Sequence, residues 1–124
     1  MNKLVSSLLL LACGTAYGQM FVGTSVLEAK KAKGITVVEF WAPFNEANEV
    51  LFLKELDDCK ALRVCIEKHP SATAEYNVFS IPTVVVFDNG AEVLRYNPNI
   101  LMQLVATKEE IQSDIDEIIL KKFQ

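Results

Sequence analysis

Seven consecutive residues, Ile35-Thr36-Val37-Val38-Glu39-Phe40-Trp41, set the strongest limit on how this chain folds. All but Glu39 are β-branched or aromatic, and the run lies between Gly34 and Pro43, neither of which suits a strand interior. An apolar run without polar alternation is a strand covered on both faces, so its sheet needs helices above and below. Leu62 to Ile66 reads as a second, parallel strand. Thr83 to Phe87, then Asp88-Asn89-Gly90, then Ala91 to Tyr96 reads as a hairpin closed by the favoured Asn-Gly turn.

Helical signals fall between these strands. Ser25 or Thr24 can cap a helix through Val26 to Ala32, with Gly34 as its stop. Val50, Leu53 and Leu56 have helical spacing and predict a helix from Asn45 to Asp57. A short helix is expected from Ser71 to Tyr76. Thr107-Lys108-Glu109-Glu110 is a capping box opening a helix with Ile111, Ile115, Ile118 and Ile119 on one face. Asn97 as cap and Pro98 as first residue predict one or two further turns, with Ile100, Leu101, Leu104 and Val105 as apolar cover. Two parallel strands joined by a crossover and followed by an antiparallel pair make an α/β sandwich.

Composition narrows the function classes. The chain has 124 residues, 51% of them hydrophobic and 23% charged, which suits one ordered domain. Its net charge of −4, without a basic stripe, argues against a nucleic-acid partner. Three cysteines and one histidine are too few for a disulfide framework or a Cys/His metal site, so no metal and no cofactor are expected. Residues 1–18 read as a signal peptide: Lys3 supplies the positive start, Leu4 to Ala12 the apolar stretch, and Ala16-Tyr17-Gly18 the cleavage site. Residues 19–124 are then one domain, expected to be secreted, periplasmic or otherwise exported to an oxidising compartment. In a rival reading Leu10-Leu11-Ala12-Cys13 is a lipobox, and the chain meets a membrane only through a lipidated Cys13.

Val37-Val38-Glu39-Phe40-Trp41-Ala42-Pro43-Phe44 resembles the strand and approach loop that precede the Cys-x-x-Cys pair of thioredoxin and protein disulfide isomerase domains. Ser80-Ile81-Pro82-Thr83, followed by an apolar strand and Asp88-Asn89-Gly90, is similar to that family's cis-proline loop and hairpin. The resemblance covers about Val22 to the C-terminus. It implies a thioredoxin-like three-layer sandwich, a mixed central sheet with helices on both faces.

The resemblance does not carry the family's chemistry. The family's two thiols fall at Asn45 and Asn48, with Glu46 and Ala47 between them. Thiol exchange needs a thiolate to attack and a second thiol to resolve the mixed disulfide, and a carboxamide does neither. No catalytic residue is therefore assigned. Asn45 is expected as a helix N-cap. Glu39, which matches the family's buried acid, is expected to be a relic with no charged partner and a pKa raised by burial. Trp41, Phe44, Ile81 and Pro82 are the expected binding surface for a peptide or protein partner; in the alternative Trp41 packs, with its indole N–H tied to Glu67. The competing readings are a glutathione-dependent enzyme at Asn45, a cysteine-based enzyme at Cys65, and a decoy that competes with an active thioredoxin for clients. Cys59 and Cys65 are either free or disulfide-bonded.

Overall fold

The computed structural model describes residues 20–124; the expected signal peptide, its cleavage site and Cys13 lie outside the described residues. Five strands form one sheet in the order β1-β3-β2-β4-β5. They are β1 (Met20–Phe21), β2 (Ile35–Trp41), β3 (Lys60–Cys65), β4 (Thr83–Asp88) and β5 (Ala91–Tyr96). β3 runs parallel to both β1 and β2, whereas β4 is antiparallel to β2 and β5 to β4. Six of the seven β2 residues are buried, as the unbroken apolar run requires of a central strand. The two-residue β1 has no counterpart among the expected strands, because so short an edge leaves no periodic signal.

Alternate residues of β2 feed two cores. Val38 and Phe40 pack with Leu62, Val64, Val85 and Phe87 beneath α1 (Thr24–Lys31) and α2 (Ser71–Glu75). Ile35 and Val37 pack with Val84, Val86, Leu53 and the Ile111 and Ile115 side chains of α3 (Lys108–Lys121). Thr107 caps α3: Glu110 N–H donates to Thr107 Oγ1 at 3.1 Å, and Thr107 N–H donates to Glu110 Oε1 at 2.9 Å. At the hairpin, Asn89 (φ 51°) and Gly90 (φ 90°) both take the left-handed conformation that a type I′ turn demands. Gly23, rather than Thr24 or Ser25, occupies the α1 N-cap.

Two expected helices are absent. Residues Asn45 to Asp57 form no α-helix but two 3-10 segments, Pro43–Asn48 and Leu51–Glu55, separated by extended backbone at Glu49 and Val50. The interruption has a chemical cause. Val50 N–H donates to Glu39 Oε2 at 2.9 Å, a bond that takes the place of an intrahelical one, and Glu49 pairs with Arg63. The apolar spacing survives, since Val50, Leu53 and Leu56 are still buried. Long-range polar contacts override a local helical preference here.

The stretch after β5 also has no helical turn. Asn99 accepts the backbone N–H groups of Leu101 and Gln103 on its side chain at 2.9 and 3.0 Å, closing a tight loop. A Pro98–Leu104 bridge pins the base of that loop, and Met102 has φ 58°. Such side-chain-to-backbone bonding competes with helix formation. The expected apolar cover is therefore split. Leu104 and Met102 pack inward, whereas Ile100 is 96% exposed, and Leu101 and Val105 are exposed too.

Candidate functional site

β2 ends at Trp41, and the 3-10 segment Pro43–Asn48 brings Asn45 beneath the Ile81-Pro82 loop. The Ile81–Pro82 peptide bond is cis. Asn45 is buried and not a helix cap: it lies inside the 3-10 segment with non-helical backbone angles. Its Nδ2 donates to Ile81 O at 3.2 Å and to Met102 O at 3.0 Å, and its Oδ1 accepts Asn48 Nδ2 at 2.8 Å. Both amide protons and the amide oxygen are thus used in tying together the Ile81-Pro82 loop, the Asn99 loop and the 3-10 segment. A carboxamide with every group committed to the fold has none left for a thiolate or a glutathione carbonyl.

Beside this knot lies an apolar groove of about 360 Å3. Ile81, Val78, Ile66 and Met102 line it, with Phe44 and Phe79 as exposed members at 68% and 93% accessibility. Single exposed apolar residues need no explanation, but two phenyl rings on one groove form a contiguous patch. Phe79 was absent from the expected surface. The signal was present in its position two residues before Ile81, in a segment too polar at Ser80 to be read as strand.

The structure separates the four expected surface residues. Phe44 and Ile81 share the groove, with Ile81 only 1% exposed and therefore part of its floor. The Pro82 side chain is buried. Trp41 opens onto a different cleft with Phe21, Cys65 and His69. Its indole N–H is not tied to Glu67; it is buried and has no hydrogen-bond partner among the described residues. The Arg63 guanidinium lies 4.7 Å from the Trp41 ring and 4.9 Å from that of Phe21, both within cation–π range.

Arg63 also corrects the picture of Glu39. That acid is fully buried, as expected, but not alone: Arg63 Nε donates to Glu39 Oε1 at 3.1 Å, and Arg63 also pairs with Glu49. Glu39 and Arg63 are register partners across β2 and β3. Burial raises the Glu39 carboxyl above its ordinary value, while the Val50 N–H and the Arg63 guanidinium pull it down less strongly. A lone arginine within Ala61-Leu62-Arg63-Val64-Cys65 was the available signal, since a buried acid on the next strand calls for such a partner.

Cys59 and Cys65 are both free. Cys59 immediately precedes β3 and Cys65 ends it. Six residues of strand span about 16 Å or more, well beyond disulfide reach. Burial, with Asp58 and Asp57 nearby, pushes the Cys59 thiol up to about 11, which leaves little thiolate near neutrality. Denatured, unreduced protein carrying Cys13→Ser should therefore titrate with two thiols. Finding none would contradict the placement of both residues.

No protein-family model matches the chain. Among curated proteins, thioredoxin of Mycoplasma genitalium is 35% identical over 74 residues, 55% of this chain and 72% of its own length. Thioredoxin of Staphylococcus epidermidis is 35% identical over 79 residues, 58% of this chain and 76% of its own. Among solved structures, a mutant thioredoxin from Halobacterium salinarum superposes with a TM-score of 0.66 at 17% identity, covering 82% of this chain and 91% of that one. The five-stranded mixed sheet with helices on both faces, the Ile81-Pro82 loop and these relatives agree: the chain belongs to the thioredoxin family, within the thioredoxin-like superfamily.

Proposed function

We propose that this chain is an exported, noncatalytic thioredoxin-like domain that holds an extended apolar segment of a peptide or protein partner in the Phe44–Phe79 groove. The observation that carries this reading is the pairing of two features. An exposed apolar groove lies against the cis-proline loop, and the adjoining Asn45 and Asn48 are amides spent on the fold. A binding surface of this kind needs no thiol. Aromatic rings on a groove supply large contact area with little side-chain entropy to lose, which is where binding energy concentrates.

The relatives' names carry a second reading, thiol exchange, which in this chain falls to Cys59 or Cys65 among the described residues. Binding of a fluorescent library of apolar octapeptides separates the two. Phe79→Ala should weaken the best binder about tenfold or more, as loss of an anchor does. Cys59→Ser and Cys65→Ser should leave it unchanged. Phe79 is 93% exposed, so its removal leaves the fold intact. Unaltered affinity in Phe79→Ala would remove the groove from the account.

A further inference from the structure

A second cleft lies apart from the Phe44–Phe79 groove. It measures about 430 Å3 and is walled by Phe21, Trp41, Pro43 and Cys65, with Lys68 and His69 as its polar members. That volume falls in the range of small-molecule sites, roughly 300–1,000 Å3. Its aromatic walls are fixed, because Arg63 lies against both rings while paired to Glu39 and Glu49.

The charge in this cleft runs opposite to that of the chain. The protein carries −4 overall, yet among the described residues no carboxylate lines the cleft. Lys68 makes no ion pair among the described residues. Apolar walls call for an apolar body, and an unneutralised ammonium beside an imidazole calls for an anionic head.

We propose that the Trp41–Lys68 cleft binds a small organic acid, with its aromatic or aliphatic body against Phe21 and Trp41 and its carboxylate on Lys68 and His69. The site is independent of the partner groove, and no covalent step is involved.

Trp41 is the single tryptophan of the sequence, so its emission reports on the cleft directly. The full chain is titrated at constant ionic strength with 4-phenylbutyrate and, separately, with the neutral 4-phenylbutyramide. The carboxylate should give a saturable change in Trp41 emission, with an affinity about threefold to fivefold tighter than the amide. Lys68→Ala should erase that difference. Lys33→Ala, an exposed lysine at the opposite end of β2, should preserve it. Phe79→Ala should leave the whole titration unchanged, which keeps this test distinct from that of the groove. The proposal is overturned by emission that does not saturate, by equal affinities for acid and amide, or by an equal effect of Lys33→Ala.

Discussion

Arg63→Met should lower the unfolding free energy by about 3–5 kcal/mol at pH 8, a large share of the stability of a domain this size. The substitution keeps an apolar body of similar length and removes the guanidinium, leaving the fully buried Glu39 carboxylate with only the Val50 N–H as donor. It also strips the cation from the Trp41 and Phe21 rings. The pH dependence has a defined sign. Burial already raises the folded pKa of Glu39 above its unfolded value, and loss of Arg63 raises it further. A folded state that holds its proton more tightly gains stability below the unfolded pKa and loses it as pH rises through the folded one. The penalty in Arg63→Met should therefore be smallest near pH 4 and grow toward pH 8. Urea unfolding of both proteins at pH 4, 6 and 8 measures it. In Glu39→Gln this pH dependence should vanish, although the mutant itself should be less stable than wild type at pH 6. Val50 N–H and Arg63 Nε donate to different carboxylate oxygens, so in Gln one of them faces the NH2 group, and an unmet buried donor costs about 1–3 kcal/mol.

Asn45→Asp should have an effect of similar size by a different route. The two side chains have the same shape, but Asp puts an oxygen where Nδ2 now donates to the Ile81 and Met102 carbonyls. The buried Ile81 carbonyl and the part-buried Met102 carbonyl lose their donor and face an anion, for a loss of about 3 kcal/mol at pH 8. Protonation restores one O–H donor, so the folded state favours the acid form and stability should return as pH falls toward the unfolded aspartate value of about 3.9. Asn45→Ala, which leaves the carbonyls unmet but adds no charge, should cost less and show no such recovery. Limited proteolysis gives a second readout. With its Met102 anchor gone, the Asn99 loop should become cleavable between residues 99 and 104 in native protein.

Much of the fold could be read from the sequence because its signals were local and redundant. The β2 run, the Asn89-Gly90 turn and the Thr107–Glu110 capping box each specify their element with residues a few positions apart. The misread stretches are those where distant groups decide. Whether residues 45–57 are helical depends on Glu39 taking the Val50 N–H and Arg63 taking Glu49, contacts across two other strands. Asn97-Pro98 resembles a helix start, but Asn99 closes a loop whose Met102 carbonyl is claimed by Asn45, 57 residues away. The site shows the same division. Asn45 and Asn48 were legible as carboxamides where the resemblance expects thiols, while their structural bonds, the pairing of Glu39 and the position of Phe79 on the groove appear only once the chain is folded.

Reduction of insulin by dithiothreitol, followed by turbidity with and without the protein, tests most directly whether the Asn45–Asn48 site has left dithiol chemistry. The account predicts a time course indistinguishable from dithiothreitol alone, in wild type and in Cys59→Ser/Cys65→Ser alike. Turnover comparable to that of an active thioredoxin, abolished by the double substitution, would contradict it.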